Sequence, residues 1–202
     1  MIKYYNWQDS IKKEELQDII NVLKNDGVVI FPTETVYGIG CNAFSKKGID
    51  RVYKAKQRPR DKAINILVSN VDEIKKYANI SSKLEENIIN NYMPGPITLV
   101  LKKKKDFGSD FTGDNDTIGI RIPDNKIILE ILNKTDFPLI ASSANLSGKP
   151  SGINPKEIMD DFQDKVDAII DGGISDLGIS STIVQVVDEK IVVLRQGSLQ
   201  IL

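Results

Sequence analysis

The sequence predicts an α/β protein built on a mixed β-sheet with helices around it. Three observations predict this class. Short apolar runs rich in β-branched residues alternate with segments whose apolar residues recur at helical spacing. Several of these runs follow one another with no helical segment between them, so part of the sheet must be antiparallel. Late in the chain, Ile183 to Val187 and Ile191 to Leu194 flank Asp188-Glu189 as a hairpin.

Asp9 and Ser10 are the expected N-caps of the first helix, whose inward face is Leu16, Ile19, Ile20 and Leu23. Asn25-Asp26-Gly27 ends it. Val28 to Phe31 follows as a buried strand that Pro32 stops. Gly38-Ile39-Gly40-Cys41-Asn42-Ala43 matches G-x-G-x-x-[GA], but several polar residues and Pro32 separate it from the preceding strand. A dinucleotide-binding fingerprint sits directly between strand and helix, so these glycines read as a tight turn with close backbone packing.

Ser45 caps a helix running to about Ala55, with Ile49, Val52 and Tyr53 inward. Lys56 to Lys62 is a charged loop. Ile64 to Val68 is a strand and Val71 to Tyr77 a short helix. Ser82 and Glu85 have capping-box spacing, and Pro94-Gly95-Pro96 breaks the helix they open. Ile97 to Leu101 and Thr117 to Ile122 are strands across a polar stretch from Lys102 to Asp116. Ile127 to Leu132 is helical. Pro138 to Ala141 is a buried strand running into Ser142-Ser143-Ala144-Asn145. Asn154, Pro155 and Glu157 open another helix, and Ala168 to Asp171 is a further strand before the hairpin. The 202 residues hold no repeat and no long linker, and are expected to form one domain over 1–202.

Composition removes several kinds of chemistry. Lys plus Arg is 27 and Asp plus Glu 28, a net charge of -1, which argues against binding nucleic acid by charge alone. Histidine is absent, so Ser-His-Asp catalysis and imidazole zinc sites are excluded. The one cysteine, Cys41, reads as a buried packing residue. The chain has no signal-peptide pattern at its start and no membrane-length apolar stretch, so the expected location is the cytoplasm. No G-x-x-x-x-G-K-[ST] is present, which argues against a P-loop enzyme.

Six segments concentrate hydroxyl, basic and glycine residues near strand ends: Phe31 to Gly38, Lys56 to Pro59, Thr117 to Pro123, Ser142 to Ser151, Ser180 to Thr182, and Arg195 to Gly197. Open α/β sheets place ligands at strand ends, so the six are candidates to line one cavity. Their chemistry suits a polyphosphate, with Lys56 and Arg58 spaced to face one anion from an extended loop. Taken alone, Lys56 to Lys62 reads first as a solvated loop, and Lys102 to Lys105 as a solvated loop or charged sheet edge.

Five pieces in order carry a resemblance. They are Pro32-Thr33-Glu34-Thr35-Val36-Tyr37-Gly38, Lys56-x-Arg58-Pro59, Ile120-Arg121-Ile122-Pro123, Ser143-Ala144-Asn145-x-Ser147-Gly148 and Arg195-x-Gly197. Together they resemble the YrdC family, in its short single-domain form, from about Gly27 to Gly197. The resemblance implies a twisted mixed sheet flanked by helices around a large cavity. It implies a threonylcarbamoyl-AMP synthase that joins L-threonine, bicarbonate and ATP, with Mg²⁺ carried on the nucleotide, and releases pyrophosphate. The product would serve a downstream tRNA threonylcarbamoyl transferase machinery.

The same resemblance implies the site. Lys56, Arg58, Thr117, Ser143, Asn145, Ser151 and Arg195 are expected at ATP, with Lys56 and Arg58 on its phosphates. Thr33, Arg121, Ala141 and Ser181 are expected at threonine, Arg121 pairing with the carboxylate. Tyr37 is either a wall of that pocket or a core residue. Glu34 is either a partner of the threonine amine or a structural hydrogen-bond acceptor. Ala63 stands where many relatives have proline, while the Ser143-x-Asn145 element is intact, as in the synthase branch. Two alternatives stay open: a related carbamoyl-adenylating enzyme, and an RNA-binding protein of the same fold using Lys102 to Lys105.

Overall fold

A computed structural model of the chain describes residues 2–105 and 107–201. Its described residues form eleven strands and seven helices. The strands are β1 (Lys3–Asn6), β2 (Val29–Phe31), β3 (Gly38–Asn42), β4 (Asn65–Leu67), β5 (Ala78–Asn79), β6 (Ile97–Lys103), β7 (Thr117–Arg121), β8 (Leu139–Ser143), β9 (Ala168–Asp171), β10 (Thr182–Val187) and β11 (Lys190–Arg195). The helices are α1 (Lys13–Lys24), α2 (Lys46–Lys56), α3 (Val71–Tyr77), α4 (Lys83–Tyr92), α5 (Ser109–Thr112), α6 (Lys126–Lys134) and α7 (Pro155–Phe162).

One mixed sheet runs β1-β9-β2-β3-β8-β4-β7-β6-β10-β11, with β5 added against β6. The pairs β1–β9, β2–β9, β4–β7 and β6–β10 are parallel and the remaining neighbours antiparallel. Alternation along each strand sends successive side chains to opposite faces. Val29, Phe31, Leu139, Ala168 and Ile170 therefore join Trp7 and the inner faces of α1 and α6. Ile30, Ile39, Ile140 and Ile169 join the other core, with Ile49 and Val52 of α2 and Ile88 and Ile89 of α4.

Local chemistry sets the element ends. Ser82 Oγ accepts from Glu85 N at 3.1 Å while Glu85 Oε2 accepts from Ser82 N at 3.0 Å, the reciprocal capping box. Asn154 caps α7 with Pro155 in its first turn. The β10–β11 hairpin turns at Asp188 and Glu189, both at positive φ (50° and 58°). That is the backbone of a two-residue turn whose twist suits the flanking strands.

Several expectations are corrected. Helix α1 starts at Lys13 with Lys12 as a cap residue whose side chain caps nothing, so Asp9 and Ser10 lie ahead of it. Glu14 and Glu15 in its first turn face the positive helix end instead. Gly38 to Asn42 is strand β3, paired on both sides, rather than a turn. Its glycines do serve close packing: a Cβ on Gly40 would lie 2.1 Å from the Ile140 carbonyl oxygen. Strand β1 was not foreseen because its residues are mostly exposed and carry no apolar alternation. The stretch from Lys102 to Asp116 holds the end of β6 and the short α5, whose Phe111 is buried.

Lys56 is the largest correction. It is the last residue of α2 rather than part of an extended loop, and it is 1% exposed. Gln57, left-handed at φ 50°, ends the helix after it. Cys41 is fully buried, and burial pushes its thiol well above its ordinary range, in keeping with a packing residue.

Candidate active site

A cavity of about 180 Å³, open to solvent, lies where strand ends meet, and all six chemistry-bearing segments contribute to its wall. Phe31, Thr33, Thr35, Val36, Tyr37 and Gly38 come from β2, its following loop and the start of β3. Arg58 comes from the loop after α2, Arg121 from the end of β7, and Ala141, Ser142 and Ser143 from the end of β8. Ser180 and Ser181 come from the residues just ahead of β10, and Arg195 from the end of β11.

Three arginines face this cavity, and no carboxylate lines it among the described residues. Arg195 donates from Nη2 to the Ser181 carbonyl at 2.6 Å and to Ser181 Oγ at 3.2 Å. Burial first, then the charges of Arg121 and Arg58, lowers the proton affinity of Arg195. Arg58 donates from Nε to the Lys62 carbonyl (3.0 Å) and from Nη2 to the Ala63 carbonyl (2.7 Å), folding its own loop around the guanidinium. Arg121 donates from Nε to the Gly95 carbonyl at 3.1 Å and from Nη2 to Thr35 Oγ1 at 3.0 Å. Its Nη2 also stands 2.7 Å from Glu34 Oε1 in a buried ion pair.

Hydroxyls bind the wall together. Thr33 Oγ1 lies 2.8 Å from Thr35 Oγ1 and donates to the Val36 carbonyl at 2.6 Å. Thr98 Oγ1 lies 2.9 Å from Ser181 Oγ, linking β6 to β10. Tyr37 is both wall and core: it is fully buried and donates to the Gly173 carbonyl at 2.7 Å, while Gly172 N donates back to its oxygen.

Of the expected ATP residues, Arg58, Ser143 and Arg195 line the cavity, and of the expected threonine residues, Thr33, Arg121, Ala141 and Ser181 do. Lys56 does not. Its Nζ donates to the carbonyls of Ser143 and, at 2.7 Å, of Asn145. Its own carbonyl accepts from Ser147 N at 2.9 Å. Burial, and secondarily Arg58, pushes its ammonium down to about 7. Asn145 also stands behind the wall. Its Oδ1 accepts from Ser143 Oγ at 2.5 Å and from Ser151 Oγ at 3.5 Å, and its Nδ2 donates to the Leu146 and Lys149 carbonyls. The Lys56, Asn145 and Ser151 side chains thus brace the loop from Ser143 to Ser151. Gly148 within it is left-handed (φ 89°), a conformation glycine adopts at little cost. Thr117 lies at the start of β7, on the same face as Gly119 and Arg121 but outside the wall.

Sequence reasoning gave no role to Asn65, Thr35 or Thr98, which also line the cavity. Asn65 carried a signal: it is a polar residue inside the apolar run Ile64 to Val68. A Cβ on Gly119, on neighbouring β7, would lie 2.1 Å from its Oδ1, so that glycine makes room for the amide.

The family Sua5_yciO_yrdC, described as telomere recombination, matches residues 21–197. A relative from Methanocaldococcus jannaschii is 38% identical over 201 residues, covering 100% of this chain and 94% of that protein. The threonylcarbamoyl-AMP synthase of Pyrococcus abyssi is 34% identical over 194 residues, covering 96% of this chain; this chain spans only 57% of that relative's length. The crystal structure of P. abyssi Sua5 complexed with L-threonine superposes with a TM-score of 0.91 at 32% identity, covering 98% of this chain and 57% of that one. On the family match over residues 21–197 and the relative that it covers almost end to end, the chain belongs to the Sua5/YciO/YrdC family.

Proposed function

We propose that the chain is an L-threonylcarbamoyladenylate synthase, converting L-threonine, bicarbonate and ATP to threonylcarbamoyl-AMP and pyrophosphate. The observation that carries this reading is the convergence of Arg58, Arg121 and Arg195 on one hydroxyl-lined cavity. Such a cavity attracts anions, and the proposed substrates are a triphosphate, a carboxylate and bicarbonate. The synthase name of the P. abyssi relative and the threonine bound to its Sua5 support the reading.

Bicarbonate takes up a proton and loses water to give carbon dioxide, and threonine's neutral amine adds to its carbon and releases a proton in turn, giving a carbamate. A carbamate oxygen attacks the α-phosphorus of ATP, and pyrophosphate leaves. The attacking oxygen is already anionic, so this step needs no histidine base. The protein's work is to position reactants and stabilise phosphate charge. Arg58 and Arg195, with Ser143, are assigned to the nucleotide, and Arg121, with Thr33 and Ser181, to threonine. No cluster of three or more His, Cys, Asp or Glu side chains exists among the described residues. Mg²⁺ is assigned to the MgATP substrate, held by phosphates and water. The product would pass to a tRNA threonylcarbamoyl transferase machinery in the cytoplasm. No described helix is long and apolar enough to cross a membrane.

The test is pyrophosphate release from ATP and Mg²⁺ with threonine and bicarbonate each omitted in turn. Release that needs both is the expected result. Release without threonine refutes the assignment. Release supported by carbamoyl phosphate in place of both would assign the related carbamoyl-adenylating activity instead.

A further inference from the structure

The cavity wall holds one carboxamide among the described residues, that of Asn65, and the reaction above gives it no part. Asn65 is half-buried and interrupts the otherwise apolar run from Ile64 to Val68. Most polar groups around it are already engaged. Thr98 Oγ1 is bonded to Ser181 Oγ, Thr33 Oγ1 to the Val36 carbonyl, Ser143 Oγ to Asn145 and Arg121 Nη2 to Thr35. The Asn65 carboxamide makes no hydrogen bond among the described residues. The sheet sets its place. Leu67, two residues on, is the register partner of Arg121 on β7, and Asn65 itself pairs with Ala141 of β8. The carboxamide lies over Gly119, where a Cβ would stand 2.1 Å from its Oδ1 and 3.1 Å from Thr98 Cγ2. A glycine inside a strand often marks such a close approach.

We propose that Asn65 binds the β-hydroxyl of the amino-acid substrate and makes the site select hydroxy amino acids over apolar ones of the same size. This rests on the synthase reading and on Arg121 as the partner of the substrate carboxylate. Positions two residues apart on a strand are about 7 Å apart, so an amino acid held at Arg121 by its carboxylate extends its side chain toward Asn65. A carboxamide offers donors and an acceptor without charge, which complements a hydroxyl that both donates and accepts. Phosphate and carboxylate oxygens only accept, and the three arginines of the wall serve them. Ala141 and Leu67 lie on the same face as Asn65 and line the cavity, so they offer an apolar surface to a methyl group beside the hydroxyl. An amino acid with a methyl in place of the hydroxyl would take water from the carboxamide and return no hydrogen bond.

The experiment is calorimetric titration of the full chain with L-threonine and with L-valine, in which a methyl replaces the hydroxyl, each with and without Mg²⁺ and a non-hydrolysable ATP analogue. The wild-type protein is expected to bind threonine about 10- to 100-fold more tightly than valine. In Asn65→Leu, which keeps the side-chain size, that preference should shrink by about tenfold or more, through weaker threonine and unchanged or tighter valine binding. Gly119→Ala should lower the preference in the same way, because its Cβ takes the space of the carboxamide. Equal affinity of the wild type for the two amino acids overturns the proposal without any variant. A preference that survives intact in Asn65→Leu overturns it, and so do equal losses for both ligands, which assign Asn65 to the shape of the pocket only. Threonine-dependent pyrophosphate release by the wild type reports separately on the synthase reading. That release with an intact preference refutes the role of Asn65 alone, and a wild type that binds neither amino acid and releases no pyrophosphate refutes both.

Discussion

Replacing Lys56 by Met removes a buried ammonium and keeps most of the side-chain volume. The native ammonium is pushed down to about 7 by burial and by Arg58, whereas the unfolded chain keeps the ordinary value near 10.5. Between these values the unfolded state binds a proton that the native state has released, so wild-type stability rises with pH. The slope is about 1.4 kcal/mol per pH unit, or roughly 2–3 kcal/mol from pH 7 to pH 9. For a chain of this size that is about 5–10 °C in Tm. The neutral amine still has two N–H groups for the carbonyls of Ser143 and Asn145, so deprotonation costs neither hydrogen bond. Lys56→Met has no such titration, and it strips the Asn145 carbonyl of its described donor at every pH, a loss of about 1–3 kcal/mol. Thermal unfolding of both proteins from pH 6 to 9 is the assay. The Tm gap should widen with pH above 7, and the variant's ATP affinity should fall because the Ser143 to Ser151 loop loses its brace. Parallel Tm curves would refute the desolvated lysine and with it the bracing role.

Other variants separate the remaining assignments. Arg58→Ala and Arg195→Ala should each weaken ATP binding by about 10- to 100-fold, read by calorimetry with MgATP, and leave threonine binding nearly unchanged. Arg121→Ala should raise the threonine KM and, by stranding Glu34, destabilise the fold by about 3–5 kcal/mol in urea unfolding. Adding Glu34→Gln to that variant should return much of the stability but none of the threonine affinity. Gly40→Ala should cost about 1–3 kcal/mol, measured as a lowered Tm, because its Cβ would meet the Ile140 carbonyl.

Local chemistry made much of the fold legible. The Ser82–Glu85 capping box, the Asn154-Pro155 helix start and the turn at Asp188-Glu189 each depend on a few neighbouring residues, and each stands where the sequence places it. Strand β3 was not legible because Gly38 and Gly40 are there for the Phe31 ring and the Ile140 carbonyl, partners supplied by other strands. The burial of Lys56 was hidden for the same reason: its acceptors lie 87 and 89 residues away. In the cavity the arginines and hydroxyls of the motifs could be named from residue type. The Arg121–Glu34 pair and the place of Asn65 against Gly119 depend on which strands become neighbours, and strand order is not written in local pattern.

That strand order also governs when the cavity can exist. Strand β9, residues 168–171, is inserted between β1 and β2, the first two strands of the chain. A nascent chain ending before residue 168 leaves both of those strands without their shared neighbour, and it lacks the β10–β11 segment that carries Ser181 and Arg195 into the wall. Such sequence-distant pairings close large loops and form slowly. Substrate would thus recognise only a finished fold, and its binding would stabilise the sheet from end to end rather than any separable part of it.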